Sequence, residues 1–152
     1  MLPTPAKFCL VAGSSEGMTT LNAFDGALLA AGLGNVNLLK VSSILPPGAV
    51  FADRLSIPPG ALVPAAYGHV VSETPGQRLA AAVAVGLNGT NFGVIMEHAG
   101  VGEAHELERQ VRAMVEEAFR VRGLVLTGLK SASAGHVVQR VGCAFAAVAF
   151  WY

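Results

Sequence analysis

Two uninterrupted apolar runs, Leu79 to Leu87 and Cys143 to Tyr152, constrain this chain more than any other feature of it. Each is long enough for a strand buried on both faces, and far short of the roughly 20 residues that span a bilayer. Hydrophobic residues make up 53% of the 152 and charged residues 13%. So much apolar surface is hard for a small monomer to hide, and burial between subunits is expected. The start, Met1-Leu2-Pro3-Thr4-Pro5, lacks the basic segment and apolar core of a signal peptide, which gives a cytoplasmic reading with no membrane partner.

Charge and reactive side chains narrow the function. The formal net charge is zero and Lys and Arg are scattered, which argues against nucleic acid. Cys9 and Cys143 each sit inside an apolar run and read as buried free thiols. The histidines at 69, 98, 105 and 136 show no metal-ligand spacing, so no metal is expected. Gly13-Ser14-Ser15-Glu16-Gly17 resembles a phosphate loop only superficially, since it lacks the P-loop lysine and glycine spacing.

The pattern predicts a strand over 7–13, a polar turn over 13–17 and a helix over 21–31. In that helix Leu21, Phe24, Leu28 and Leu29 share a face, Thr20 or Asn22 supplies the cap, and Gly32-Leu33-Gly34 is the stop. A strand over 36–42 and a Pro/Gly-rich loop to Gly60 follow. Strands are expected over 61–71, 79–87, 92–98, 124–131 and 137–151. A helix over 103–122 carries the stripe Leu107, Val111, Met114, Val115, Ala118 and Phe119, and ends at Gly123. No repeat or linker appears, so a single domain is expected.

The informative stretch is Gly34-Asn35-Val36-Asn37-Leu38-Leu39-Lys40-Val41-Ser42-Ser43-Ile44-Leu45-Pro46-Pro47-Gly48. A strand runs into a serine pair and then a rigid proline turn, an arrangement able to strain and expose the Ser42–Ser43 peptide bond. Attack of the Ser43 hydroxyl on the Ser42 carbonyl would turn the amide into an ester. Elimination would leave dehydroalanine, and hydrolysis a pyruvoyl ketone at position 43. Serine pairs are common in turns, and Ser14-Ser15 is another, so the chemistry alone leaves a plain turn open.

Three ordered blocks resemble the pyruvoyl-dependent arginine decarboxylases. The first is Leu10-Val11-Ala12-Gly13-Ser14-Ser15-Glu16-Gly17, continued by Leu21-Asn22-Ala23-Phe24-Asp25-Gly26-Ala27-Leu28. The second is Gly34-Asn35-Val36-Asn37-Leu38 through Val41-Ser42-Ser43-Ile44-Leu45-Pro46-Pro47, then Pro59-Gly60-Ala61-Leu62-Val63-Pro64. The third is Gly142-Cys143-Ala144-Phe145-Ala146-Ala147, closed by Trp151-Tyr152. The resemblance implies an α+β fold, a four-layer αββα sandwich, cut by the chain itself into a β chain (1–42) and an α chain (43–152). It further implies a homotrimer with active sites between subunits, and it leaves open whether trimers pair. The cofactor it implies is a covalent pyruvoyl group derived from Ser43.

The other site residues take their roles from the same likeness. Glu97 closes an apolar strand, where burying a charge is expensive and its pKa should rise. The resemblance makes it the proton donor to the α-carbon. His98 departs from the aromatic residue expected there and receives no role. Asn37 lies six residues before Ser43, on the same strand face by the period of two. By resemblance it assists self-cleavage, although an Asn pairing with backbone at a strand start is the commoner fate. Asp25 would take the substrate guanidinium through paired hydrogen bonds, and Gly34 and Val36 would line the channel.

The expected reaction is decarboxylation of L-arginine to agmatine and carbon dioxide, with the ketone as electron sink. A pyruvoyl decarboxylase of another amino acid, or an uncut non-catalytic trimeric subunit, are the alternatives. Agmatine made this way would serve polyamine biosynthesis or acid resistance.

Overall fold

The strand-forming runs build two sheets. The computed structural model describes residues 2–152. In chain order the elements are β1 (Lys7–Glu16), α1 (Thr20–Ala31), β2 (Asn37–Lys40), β3 (Ile44–Leu45), β4 (Val50–Phe51) and β5 (Leu62–Ser72). They continue with β6 (Arg78–Leu87), β7 (Gly93–Val101), α2 (Ala104–Arg122), β8 (Gly128–Val137) and β9 (Gly142–Trp151). One sheet has the order β2-β5-β9-β1-β4 and the other β3-β7-β6-β8. The fold is a mixed α/β domain with two sheets and two helices.

The two apolar runs become interior strands, and the period of two decides what each residue meets. On β9, Ala144, Ala146, Val148 and Phe150 join a core shared with the second sheet. The alternate residues Cys143, Phe145, Ala147 and Ala149 pack with α1. On β6, Leu79, Ala81, Val83 and Val85 face the shared core, while Ala80, Ala82 and Ala84 meet α2. A strand buried on both faces has no use for polar alternation, which explains the unbroken apolar sequence.

Several expected boundaries move. β1 runs on to Glu16, through the stretch expected to turn, because Ser14 and Ser15 pair with Ala144 and Cys143 of β9. The strand expected over 36–42 is only Asn37–Lys40. Leu124 and Leu126 precede β8 and pack against α2 instead of pairing. Val137 ends β8, opposite Arg78 of β6, instead of starting β9.

Helix α1 is capped by Thr19, whose hydroxyl accepts the Asn22 N–H at 3.1 Å, and not by Thr20 or Asn22. It ends at Gly32, which adopts φ 85°, a left-handed conformation suited to glycine. Its buried stripe is Ala23, Ala27 and Ala31, while Leu21 and Leu29 are 73% and 54% exposed. The helix lies too close to β1 for large side chains. A Cβ on Gly13 would come within 2.6 Å of the Ala27 carbonyl, and one on Gly26 would strike the Ser15 side chain. Helix α2 keeps the predicted stripe except Met114, which is partly exposed. Arg122 donates to the Ala118 carbonyl at 3.1 Å and helps close its last turn.

Candidate active site

The segment around the serine pair crosses from one sheet to the other. β2 pairs with β5 at the edge of the five-stranded sheet, and β3 pairs with β7 at the edge of the four-stranded sheet. The last tie to the first sheet is the Val41 N–H on the Ala65 carbonyl, 3.0 Å. The first tie to the second is the Ser43 carbonyl, which accepts the Ile95 N–H at 2.7 Å. The Ser42–Ser43 peptide bond lies between these anchors, with Ser42 exposed and Ser43 half-buried. Leu45 then plugs the core between the sheets at 2% exposure.

The expected exposure of this bond is therefore present. The expected strain has no backbone outlier behind it: among the described residues no peptide is cis and no non-glycine residue has positive φ. What distinguishes Ser42-Ser43 from Ser14-Ser15 is the crossing, since the latter pair is held inside the β1–β9 ladder.

Glu97 follows Ile95 by two residues on β7, so both side chains point toward the five-stranded sheet. There it meets Gly68 of β5, where a Cβ would sit 3.4 Å from the Glu97 Cγ. Burial raises the Glu97 pKa above the usual carboxylate value, and the Lys40 charge pulls it partly back. A half-buried carboxyl with a raised pKa thus shares a strand with the Ser43 anchor.

The remaining candidates are not gathered at this point. The Asn37 side chain donates to the Gly60 carbonyl at 3.0 Å, and its backbone N–H bonds Ala61, so it fastens β2 to the entry of β5. Strand alternation ends at Lys40 and does not carry from Asn37 to Ser43. Gly34 sits under Leu29, where any Cβ would clash, and Val36 packs in the α1-side core. Asp25 is exposed on α1, across the five-stranded sheet from Glu97. His98 is exposed. Cys9 and Cys143 are buried and free, with burial pushing both thiols up to about 11.

The family model described as "Pyruvoyl-dependent arginine decarboxylase (PvlArgDC)" matches residues 7–152. The chain belongs to the pyruvoyl-dependent arginine decarboxylase family. Among curated relatives, a pyruvoyl-dependent arginine decarboxylase of Methanocaldococcus jannaschii is 49% identical over 150 residues, covering 97% of this chain and 91% of the relative. One of Thermococcus sibiricus is 46% identical over 149 residues, covering 95% and 94%. One of Methanococcus maripaludis (strain C7) is 43% identical over 150, covering 97% and 92%. The residues at the crossing fit the group in the family's name. Ser43 is the residue from which it could be made, its carbonyl is anchored, and a carboxyl whose pKa burial raises lies on the anchoring strand.

Three side chains that the sequence reading passed by, Lys40, Tyr67 and His69, gather on the α1 face of the five-stranded sheet, opposite the face that meets Glu97. Lys40 stands with its ammonium 4.7 Å from the centre of the Tyr67 ring. His69 lies beyond Tyr67 on β5, 4.6 Å from the Phe24 ring of α1, and burial followed by the Lys40 charge lowers its pKa. The available signal was Lys40 itself, the one charged residue from Gly34 to Gly48. Among the described residues no group of three or more His, Cys, Asp or Glu is arranged to hold a metal, and no helix is long and apolar enough to cross a membrane.

Proposed function

We propose that this chain decarboxylates L-arginine to agmatine and carbon dioxide through a pyruvoyl group made from its own Ser43. The observation that carries this reading is the position of the Ser42–Ser43 bond between its two sheet anchors, beside the strand that holds Glu97. Family membership supplies the reaction class.

In processing, the Ser43 Oγ attacks the Ser42 carbonyl carbon, the C–N bond breaks and an ester forms, leaving the Ser43 nitrogen as an amine. Loss of the Ser43 α-proton then expels the Ser42 carboxylate and leaves dehydroalanine. Tautomerisation, addition of water and loss of ammonia give the ketone. Asn37 holds β2 in register so that the crossing segment leaves the sheet at a fixed point. The finished group supplies an electron sink when carbon dioxide leaves. Glu97 keeps its proton through burial and returns it to the α-carbon.

Asp25 takes the guanidinium, and it does so for a neighbouring protomer. Within one chain the five-stranded sheet stands between Asp25 and Glu97. The exposed apolar side chains Met18 (92%), Leu21 and Leu29 around α1 support an assembly that covers this face. We read that assembly as a trimer of αββα protomers with Gly34 and Val36 near its substrate channel. The test is product analysis over a panel of amino acids. Agmatine from arginine is expected, and turnover of another amino acid with none of arginine would reject the substrate.

A further inference from the structure

We propose that Lys40 is the counter-ion for the carboxylate that self-cleavage creates at Ser42: its ammonium stabilises that group as it leaves Ser43. The inference rests on the reading of Ser42–Ser43 as the bond that is cut. β2 and β5 are parallel and Lys40 pairs with Ala65, so the chain after Lys40 heads toward the level of Tyr67. The Val41 N–H on the Ala65 carbonyl keeps that course for one residue past β2. The Lys40 ammonium lies 4.7 Å from the centre of the Tyr67 ring, two residues beyond Ala65. The side chain therefore leans forward along the strand, in the direction that Ser42 takes, and the aromatic face seats the cation there. Two extended residues span about 7 Å, a distance that the four-carbon stem and its ammonium can cover.

The surroundings leave Lys40 as the cation for this carboxylate. It is the one charged residue from Gly34 to Gly48, and both it and Ser42 are exposed. His69, next along the same face of β5, is kept toward its neutral form by burial and then by Lys40. Among the described residues Lys40 forms no ion pair with an acid, so a positive charge waits beside the bond before any negative one exists. The first step of processing needs no such charge, because the amide of Ser42 becomes an uncharged ester. The second step does. The Ser43 α-proton passes to solvent, the Cβ–Oγ bond breaks with its electron pair on oxygen, and dehydroalanine forms. Ser42 is left with a full negative charge shared by two oxygens. A cation already in place stabilises that charge as it develops, through a charge-assisted hydrogen bond. Lys40 thus speeds elimination and leaves ester formation alone.

The test follows processing of the freshly purified full-length chain by intact-mass analysis, with hydroxylamine added to samples to cut any ester and release residues 1–42 as the hydroxamate. Lys40→Gln should yield the pyruvoyl fragment 43–152 about 10-fold or more slowly, while its hydroxylamine-sensitive fraction rises above that of the wild type. Lys40→Arg, which keeps the charge, should process close to wild type. Raising NaCl to about 1 M should slow elimination in the wild type and leave Lys40→Gln unchanged. A merely structural role for the side chain would slow ester formation as well, and no hydroxylamine-sensitive chain would build up. That outcome, wild-type kinetics in Lys40→Gln, or an equal loss in Lys40→Arg overturns the proposal. If Lys40→Gln does not fold, a wild-type elimination rate indifferent to salt overturns it. A wild-type chain that is never cut rejects the functional reading itself. A wild-type chain that is cut, and that Lys40→Gln matches, rejects this proposal alone.

Discussion

The Ser43 carbonyl accepts the Ile95 N–H at 2.7 Å, which bonds the expected new chain end to the strand that carries Glu97. Cleavage at Ser42–Ser43 would therefore cut the crossing without releasing residue 43. The Ile44–Val94 and Leu45–Gly93 pairs and the buried Leu45 side chain hold the same end. Leu45→Ala should lower stability by about 2–4 kcal/mol, because its cavity lies between the sheets. Denaturant unfolding checks this. Loss of the plug should also cost kcat more than KM, since it loosens the reacting group and leaves the guanidinium site intact.

Glu97→Gln should process normally and decarboxylate about 10²–10⁴-fold more slowly. The amide keeps the packing against Gly68 but carries no acidic proton. Burial raises the carboxyl's pKa, so the wild-type rate should hold above the ordinary carboxylate range and fall as pH rises through the raised value. A pH series of kcat on processed enzyme, with electrophoresis to verify the cut, checks both parts.

Asp25→Asn should raise KM for arginine by about 10- to 100-fold, the loss of a charge-assisted bidentate pair. A mixing experiment locates the residue. If Asp25 serves a neighbour, co-assembled Ser43→Ala and Asp25→Asn chains regain activity, because some sites combine an intact Ser43 with an intact Asp25. No regain is expected if both residues act within one chain.

Glu16 closes the β8–β9 turn. Its carboxylate contacts His136 Nε2 at 2.5 Å and accepts the Arg140 N–H at 2.8 Å and the Gln139 and Val141 N–H groups at 3.2 Å. These bonds, His136 first, hold its pKa down at about 2. Since the folded value is depressed, the stability it contributes is fully present above the unfolded carboxylate value near 4.5. That stability is lost as pH falls from there toward about 2. Thermal melts from pH 6 to pH 2 should show Glu16→Gln less stable at neutral pH by about 1–2 kcal/mol, with the gap closing in acid.

Much of this was legible in the sequence because single residues report their surroundings. The unbroken runs at 79–87 and 143–152 became strands buried on both faces, and Gly32 and Gly123 end helices where a left-handed residue is needed. Ser14 and Ser15 misled, because strand pairing satisfies their backbone whatever their side chains. The face of α1 misled because its close approach to Gly13 selects alanine over leucine. Lys40 was passed over for a further reason. Its ring partner Tyr67 lies more than 25 residues away in sequence and comes beside it only once β2 and β5 pair.

Intact-mass analysis of the purified wild-type chain and of Ser43→Ala tests the self-cleavage most directly. The account predicts two wild-type fragments, residues 1–42 and 43–152. The larger should be about 17 Da lighter than a simple hydrolysis product, reflecting replacement of the N-terminal amine by a ketone. Ser43→Ala should remain one uncut chain. A wild-type protein that stays intact through prolonged incubation, or a Ser43→Ala chain cut at the same bond, would contradict it.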